Sequence, residues 1–169
     1  RLPLKKAAKI VHADALEIDW NQVISKSELS YIIGNPPFIG SNIMKKEQRN
    51  QIVKIFEKKS GGGTLDYVAG WYILASKFIL NTNSKVAFVS TNSIVQGEQT
   101  SLLWSLLQEK YGVIIHFAHR TFKWNNEAKG NAAVYCVIVG FANFNTSKKI
   151  IFDYEDIKGD AQIIQVKNI

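Results

Sequence analysis

In Tyr31-Ile32-Ile33-Gly34-Asn35-Pro36-Pro37-Phe38 an apolar run meets an Asn-Pro-Pro-aromatic turn. The stretch opens as a short apolar strand over residues 30–34. Two prolines then stop it, because neither can donate to a sheet ladder. A strand that delivers a rigid turn at its carboxyl end is characteristic of open α/β sheets, which place ligands there. The prolines also remove two backbone donors. The groups left to face a ligand are acceptor-rich: the Asn35 side-chain carbonyl and the Pro36 backbone carbonyl. Phe38 adds a flat apolar face. Two acceptors beside a stacking ring suit an exocyclic amino group on a planar heterocycle.

Outward from this turn, strands and helices alternate. Upstream, residues 8–12 (AKIVH) read as a short strand, followed by the loop His12-Ala13-Asp14-Ala15-Leu16. Downstream, residues 44–59 read as an amphipathic helix with Ile52, Ile55 and Phe56 on its apolar stripe. Gly61-Gly62-Gly63 breaks it. Residues 65–80 are apolar nearly all round and read as a buried helix, capped by Thr64 with Asp66 in its first turn. Residues 86–90 (VAFVS) form a buried strand. Ser93-Ile94-Val95-Gln96 has capping-box form and opens a helix through Lys110, ended by Gly112. Residues 113–119 are a strand, 120–131 a polar loop, 132–141 a long strand and 148–155 one more. The pattern predicts an α/β domain with parallel strands and an antiparallel element at one edge.

The composition agrees with a packed domain. Of 169 residues, 46% are apolar and 21% charged, which excludes wholesale disorder. No apolar run reaches the roughly 18 residues of a membrane span. The single cysteine, Cys136, cannot form an internal disulfide, and its apolar strand marks it as an inert core thiol. No Cys/His cluster offers a metal site, so no metal is expected, and the expected location is cytoplasmic. The net charge of +7 suits a polyanionic partner. Six of the basic residues fall within 45–59, Lys45 and Arg49 among them. They fit either a solvated helix face or phosphate contacts.

The Asn-Pro-Pro-Phe turn resembles the catalytic motif of S-adenosylmethionine-dependent amino-group DNA methyltransferases of the adenine-N6 class. The resemblance implies that Asn35 and Pro36 hold the target amino group, with Pro37 stiffening the turn and Phe38 stacking on a flipped-out base. The family more often has Tyr where Phe38 stands, and Phe keeps the stacking. His12–Leu16 is similar to the family's cofactor loop, which implies that Asp14, with Ala15 and Asn35, contacts S-adenosylmethionine. An ordinary strand-end turn would also use Asp14. Asp66 is placed near the cofactor by the resemblance, and a helix start would stabilise its carboxylate regardless. The segment Arg120–Gly130 matches a loop that closes over the target base. There Phe122 and Trp124 would cap the base, while Arg120, Lys123 and Lys129 would contact phosphate. Those aromatics also suit a plug for an apolar gap.

The combination of GNPPFIGS, LDYVAGWY, VSTNSIVQGEQ and HRTFKWNNEAKG resembles the single-chain restriction–modification methyltransferases of the Type IIG/IIL kind. That family has a partial match here: a Rossmann-like sheet of strand order 3-2-1-4-5-7-6, of which the first two strands and their Gly-rich cofactor loop are missing. Residues 1–145 are then the C-terminal half of a catalytic domain. Residues 146–169 are an extra strand and the start of a connection to a target-recognition region. The resemblance further implies that the first strand is frayed, displaced or paired with another chain. Strand 30–34 becomes an exposed edge through which the chain could dimerise.

The implied function is methyl transfer to the N6 amino group of a flipped adenine in double-stranded DNA, with the isolated chain inactive. Two alternatives stay open: an RNA-guanine or protein-glutamine amino methyltransferase, and a non-catalytic DNA-binding or assembly module.

Overall fold

The computed structural model describes residues 8–57, 61–124, 134–156 and 159–169. Six strands form one mixed sheet: β1 (Tyr31–Gly34), β2 (Lys85–Thr91), β3 (Ile114–Trp124), β4 (Val134–Ala142), β5 (Lys149–Asp153) and β6 (Gln162–Val166). Their spatial order is β1-β2-β4-β3-β5-β6. β1 and β2 are parallel, as are β3 and β5; the β2–β4, β4–β3 and β5–β6 pairs are antiparallel. Among the described residues three α-helices accompany the sheet: α1 (Lys46–Phe56), α2 (Ala69–Phe78) and α3 (Gly97–Tyr111).

The alternation of β2 builds the core. Val86, Phe88 and Ser90 are buried, while the residues between them are half-exposed. The Tyr72 ring of α2 meets Phe88, Phe141 of β4 and Trp104 of α3 at 5.2, 5.6 and 5.8 Å between centroids. Its hydroxyl pairs with Ser90 Oγ at 2.9 Å, which satisfies both buried groups. Burial pushes the Tyr72 phenol far above its ordinary range. The sheet's other face is thinly covered at β1, where Ile33 is 80% exposed.

Several expectations need correction. Residues 8–12 form no strand: they have no ladder partner among the described residues, and Ile10 is 89% exposed. Lys9 instead ties this segment to the chain, donating to the Gln22 and Val23 carbonyls at 3.0 and 2.7 Å. The buried helix starts only at Ala69. Thr64 lies in a 3-10 turn, Gly62–Thr64, and Asp66 precedes the helix with its carboxylate turned elsewhere. Ser93 does not cap α3. Asn92–Val95 is a 3-10 turn, and Gly97, at φ +64°, starts the helix after Gln96. Gly112, at φ +62°, ends it as expected.

The strand expected over 113–119 runs on to Trp124, into the segment read as a loop. A bulge between His119 and Phe122 absorbs polar Arg120 and Thr121, and Arg120 pairs with Asp153 at 3.0 Å. Antiparallel β4 is interior because it pairs with both β2 and β3, while the antiparallel strand at the sheet's far edge is β6, paired with β5. β6 is a strand that the sequence pattern does not announce. β1 lies at the end of the strand order, so one of its edges is unpaired among the described residues. Lys58, Lys59 and Lys129 lie outside the described residues.

Candidate functional site

The sheet's hydrogen-bond register gathers the motif residues at one end. Gly34 is opposite Phe88, three residues before the end of β2 at Thr91. Thr91 is opposite Cys136, which on its other side is opposite Phe122. The carboxyl ends of β1, β2 and β3 therefore lie toward the same end of the sheet, although β3 is reached across antiparallel β4. Asn35 comes directly after β1, Ser93 shortly after β2, and Lys123 and Trp124 finish β3.

At the turn itself Asn35 and Pro37 are exposed, Pro36 is buried and Phe38 is half-buried. Neither the Asn35 side chain nor the Pro36 carbonyl takes a hydrogen bond from any described residue. Phe38 has no ring partner among the described residues. Asn35, Pro36 and Pro37 border a cleft of about 790 Å³ that runs along β1 toward residues 9–24. Ala15, Trp20, Trp71 and Phe88 line its apolar walls. Gly34 suits this place, since a Cβ there would press on the Phe88 ring at 3.2 Å.

The chain after the turn is held on three sides. The Ile39 carbonyl accepts the Tyr67 amide at 2.9 Å. The Ser41 amide donates to Asp66 Oδ1 at 2.7 Å, and the Ser41 carbonyl accepts Arg49 Nη2 at 2.5 Å. Arg49 Nη1 also reaches the Gly63 carbonyl at 2.5 Å. Arg49 is thus committed to the protein backbone, whereas Lys45 is exposed. Asp66 Oδ2 accepts Ser93 Oγ at 2.5 Å, and the Asp66 amide donates to Gln99 Oε1 of α3 at 2.8 Å.

Asp14 is exposed and does not border the cleft; Ala15 does. Asp14 Oδ1 accepts the Leu16 amide at 2.8 Å in an Asx-type turn. Its Oδ2 accepts Gln51 Nε2 at 2.9 Å, and Gln51 in turn accepts the Tyr67 hydroxyl at 2.7 Å. Burial and the nearby Asp14 and Glu17 carboxylates raise the Tyr67 phenol above its ordinary range.

Near the end of β3, Phe122 joins an aromatic group. Its ring lies 6.2 Å from Trp124, 5.7 Å from Tyr154 and 6.3 Å from His119. His119 stacks on Phe152 at 4.1 Å, and its Nδ1 pairs with the Tyr154 hydroxyl at 2.7 Å. Burial lowers the His119 imidazole and raises the Cys136 thiol. Phe122 is half-buried in this group and Trp124 is the more open ring.

Sequence reasoning thus finds the turn and misses its anchors. It does not single out Ser41, Gln51, Ser93 as a side-chain partner, or Gln99, and it assigns Asp66 to a helix start. The one available signal is the polar Asp66 inside an apolar stretch. Among the described residues no group of three His, Cys, Asp or Glu comes together, and no helix is long and apolar enough to cross a membrane.

Comparison with known proteins places this arrangement. Residues 1–153 match the family model described as MmeI, DNA-methyltransferase domain. The chain is 47% identical over 147 residues to DNA methyltransferase A of Bacillus subtilis (strain 168), covering 86% of this chain and 17% of that protein. The structure of the Type IIL restriction-modification enzyme MmeI, solved in complex with DNA, superposes with a TM-score of 0.93 at 48% identity. That match covers 100% of this chain and 23% of the enzyme. The type IIG restriction endonuclease BpuSI shares the fold at a TM-score of 0.57 and 10% identity, over 92% of this chain and 20% of its own. The chain spans 17% and 23% of the length of the first two relatives. Its mixed six-stranded sheet is that of a methyltransferase domain, and the chain belongs to the MmeI DNA-methyltransferase domain family.

Proposed function

We propose that this chain carries the target-amine half of an adenine-N6 DNA methyltransferase of the Type IIG/IIL restriction–modification kind. The observation that carries the proposal is the turn after β1. Asn35 is exposed at the rim of the cleft, and its amide and the Pro36 carbonyl are unclaimed by the described residues. Buried acceptors are normally paired, and Pro36 is a buried residue whose carbonyl no described residue claims; beside the solvent-facing Asn35 amide at a strand's carboxyl end, it suits an incoming donor.

The target adenine leaves the duplex stack to reach this turn. The Asn35 side-chain carbonyl and the Pro36 carbonyl accept the two hydrogens of its amino group. They turn the nitrogen lone pair toward the cleft and stabilise the positive charge that grows on that nitrogen. Phe38 stacks on the base, and Pro37 keeps the turn from relaxing. Catalysis is mainly positioning, for which oriented partners supply several orders of magnitude.

The cleft fits S-adenosylmethionine: its volume lies in the range of cofactor sites, and its walls are largely apolar, with Asn35 at one end and Lys9 toward the other. Bound there, the cofactor supplies an electrophilic methyl group. Ala15 and Asn35 would border it. Asp14 would join them by exchanging Gln51 for the cofactor's adenine amino group. The order β1-β2-β4-β3 supports a Rossmann-like sheet, since it reproduces the family order 4-5-7-6. The unpaired edge of β1 is where the remaining strands would add. On this reading residues 1–145 contribute to the catalytic domain, residues 146–169 lead out of it, and the chain alone is inactive.

Phe122, Lys123, Trp124 and Lys129 would approach the flipped base and its phosphates, with Lys45 on the flank. The test is methylation of DNA by the full-length protein with and without Asn35→Ala, read as N6-methyladenine. RNA and glutamine-peptide acceptors run in parallel separate the alternative substrates.

A further inference from the structure

We propose that Asp66 is a positioning residue, a clamp that holds the turn after β1 against the turn after β2. The proposal rests on the amino-methylation reading above and adds to it the residue that sets the geometry of Asn35 and Phe38. Asp66 is 6% exposed, yet no Lys or Arg pairs with it among the described residues. Its two carboxyl oxygens are met by hydrogen bonds from Ser41 and Ser93 rather than by a cation.

Those bonds come from separate places. Oδ1 takes the Ser41 amide, three residues past Phe38; Oδ2 takes the Ser93 hydroxyl, two residues past β2. The Ser93 oxygen is also 2.8 Å from Oγ1 of Thr91, the last residue of β2. From the other side, the Asp66 amide is fixed by Gln99 of α3. One residue therefore couples the carboxyl ends of both parallel strands to a helix.

Arg49 completes the device. It holds the carbonyl of Ser41 while Asp66 holds the amide, so residue 41 is gripped on both faces of its backbone. The neighbouring Ile39 carbonyl is tied to Tyr67, the residue after Asp66. Phe38 has no ring contact of its own to fix it among the described residues. The backbone of residues 39–41 sets its place, and the side chains that grip that backbone are Asp66 and Arg49.

Neutral replacements separate positioning from bulk stability. An Asn at residue 66 retains a carbonyl oxygen for the Ser41 amide, and the Ser93 hydroxyl can turn round to accept from its amide group. An Ala offers neither. The experiment uses the full-length protein on a DNA duplex with 2-aminopurine at the target adenine for base entry, and adenine for turnover.

Asp66→Ala is expected to lower kcat about 100-fold, the size of effect an ångström-scale displacement of a reacting group produces. The KM for cofactor should change less than about threefold, because the clamp stands apart from the cleft walls. Asp66→Asn should recover at least about tenfold of the lost kcat. Ser93→Ala, which leaves the Ser41 bond intact, should give a loss of roughly tenfold with an unchanged melting temperature.

If Asp66→Ala and Asp66→Asn fall together with the melting temperature, the residue is structural and the proposal is wrong. It is equally wrong if kcat stays within about twofold of wild type in Asp66→Ala. The underlying reading fails separately: there, wild-type protein makes no N6-methyladenine, or Asn35→Ala keeps full turnover.

Discussion

Phe117 and Gly140 stand side by side on β3 and β4, so close that a Cβ on Gly140 would meet Phe117 Cε1 at 2.0 Å. No L side chain fits there without moving the ring. Phe117 itself packs edge-on against Phe152 and His119, so the ring has little room to retreat. Gly140→Ala should destabilise the domain by about 1–3 kcal/mol, the usual cost of overpacking. Urea unfolding measures it. Pairing the change with Phe117→Leu should return part of the loss, and strict additivity would show that the two positions are not in conflict.

Tyr72 makes the domain sensitive to alkali. Its phenol is raised above the ordinary 10.0 by burial, only partly opposed by its bond to Ser90. The folded state therefore keeps a proton that the unfolded chain gives up above about pH 10. This stability is fully present below about pH 10 and is lost as pH rises through that value toward the folded pKa. The slope approaches about 1.4 kcal/mol per pH unit. Tyr72→Phe should flatten the alkaline limb of a stability–pH curve while costing about 1 kcal/mol at neutral pH, because Ser90 loses its partner. An unchanged limb would assign the alkaline loss to Tyr67 and Tyr154, whose phenols are also raised.

Lys45 and Arg49 lie on adjacent turns at the start of α1, and they should behave differently. Arg49 is occupied by the Ser41 and Gly63 carbonyls; Lys45 is exposed. In the full-length protein, Lys45→Ala should weaken DNA binding and reduce the slope of log K against log salt by about 0.9 for one lost phosphate contact. Arg49→Ala should lower the melting temperature and turnover with little change in that slope. Equal slope changes in both variants would show that Arg49 reaches phosphate after all.

The legibility of each element in the sequence depends on the range of the contacts that decide it. The apolar stripe announces α1, although the helix runs Lys46–Phe56 and ends at left-handed Glu57 (φ 54°), before the glycine triplet expected to break it. β1, β2 and the Gly112 cap are readable because local chemistry decides them: proline stops a strand, and a left-handed residue ends a helix. The start of α2 is not, because Asp66 spends its carboxylate on Ser41, twenty-five residues away, rather than on its own helix. Ser93 misleads in the same way: its hydroxyl goes to Asp66, not to α3. Length also misleads at β3, where a bulge lets the strand continue through Arg120 and Thr121. At the candidate site, that a turn follows Gly34 can be read from Asn35, Pro36 and Pro37 alone. The bonds that hold them cannot, since each joins residues well apart in sequence. Asp14 reads as facing a ligand, and its partnership with Gln51, thirty-seven residues away, leaves no local trace.

The role proposed for the open acceptors after β1 is to take an amino group. Its most direct test is mass-spectrometric analysis of nucleosides from duplex DNA treated with the full-length protein and S-adenosylmethionine, wild type beside Asn35→Ala. The account predicts N6-methyladenine from wild type and a loss of at least about 100-fold in Asn35→Ala, in line with removing one preorganised hydrogen-bond partner from a reacting centre. Undiminished N6-methyladenine in Asn35→Ala, or a methyl group found on cytosine carbon instead, would contradict it.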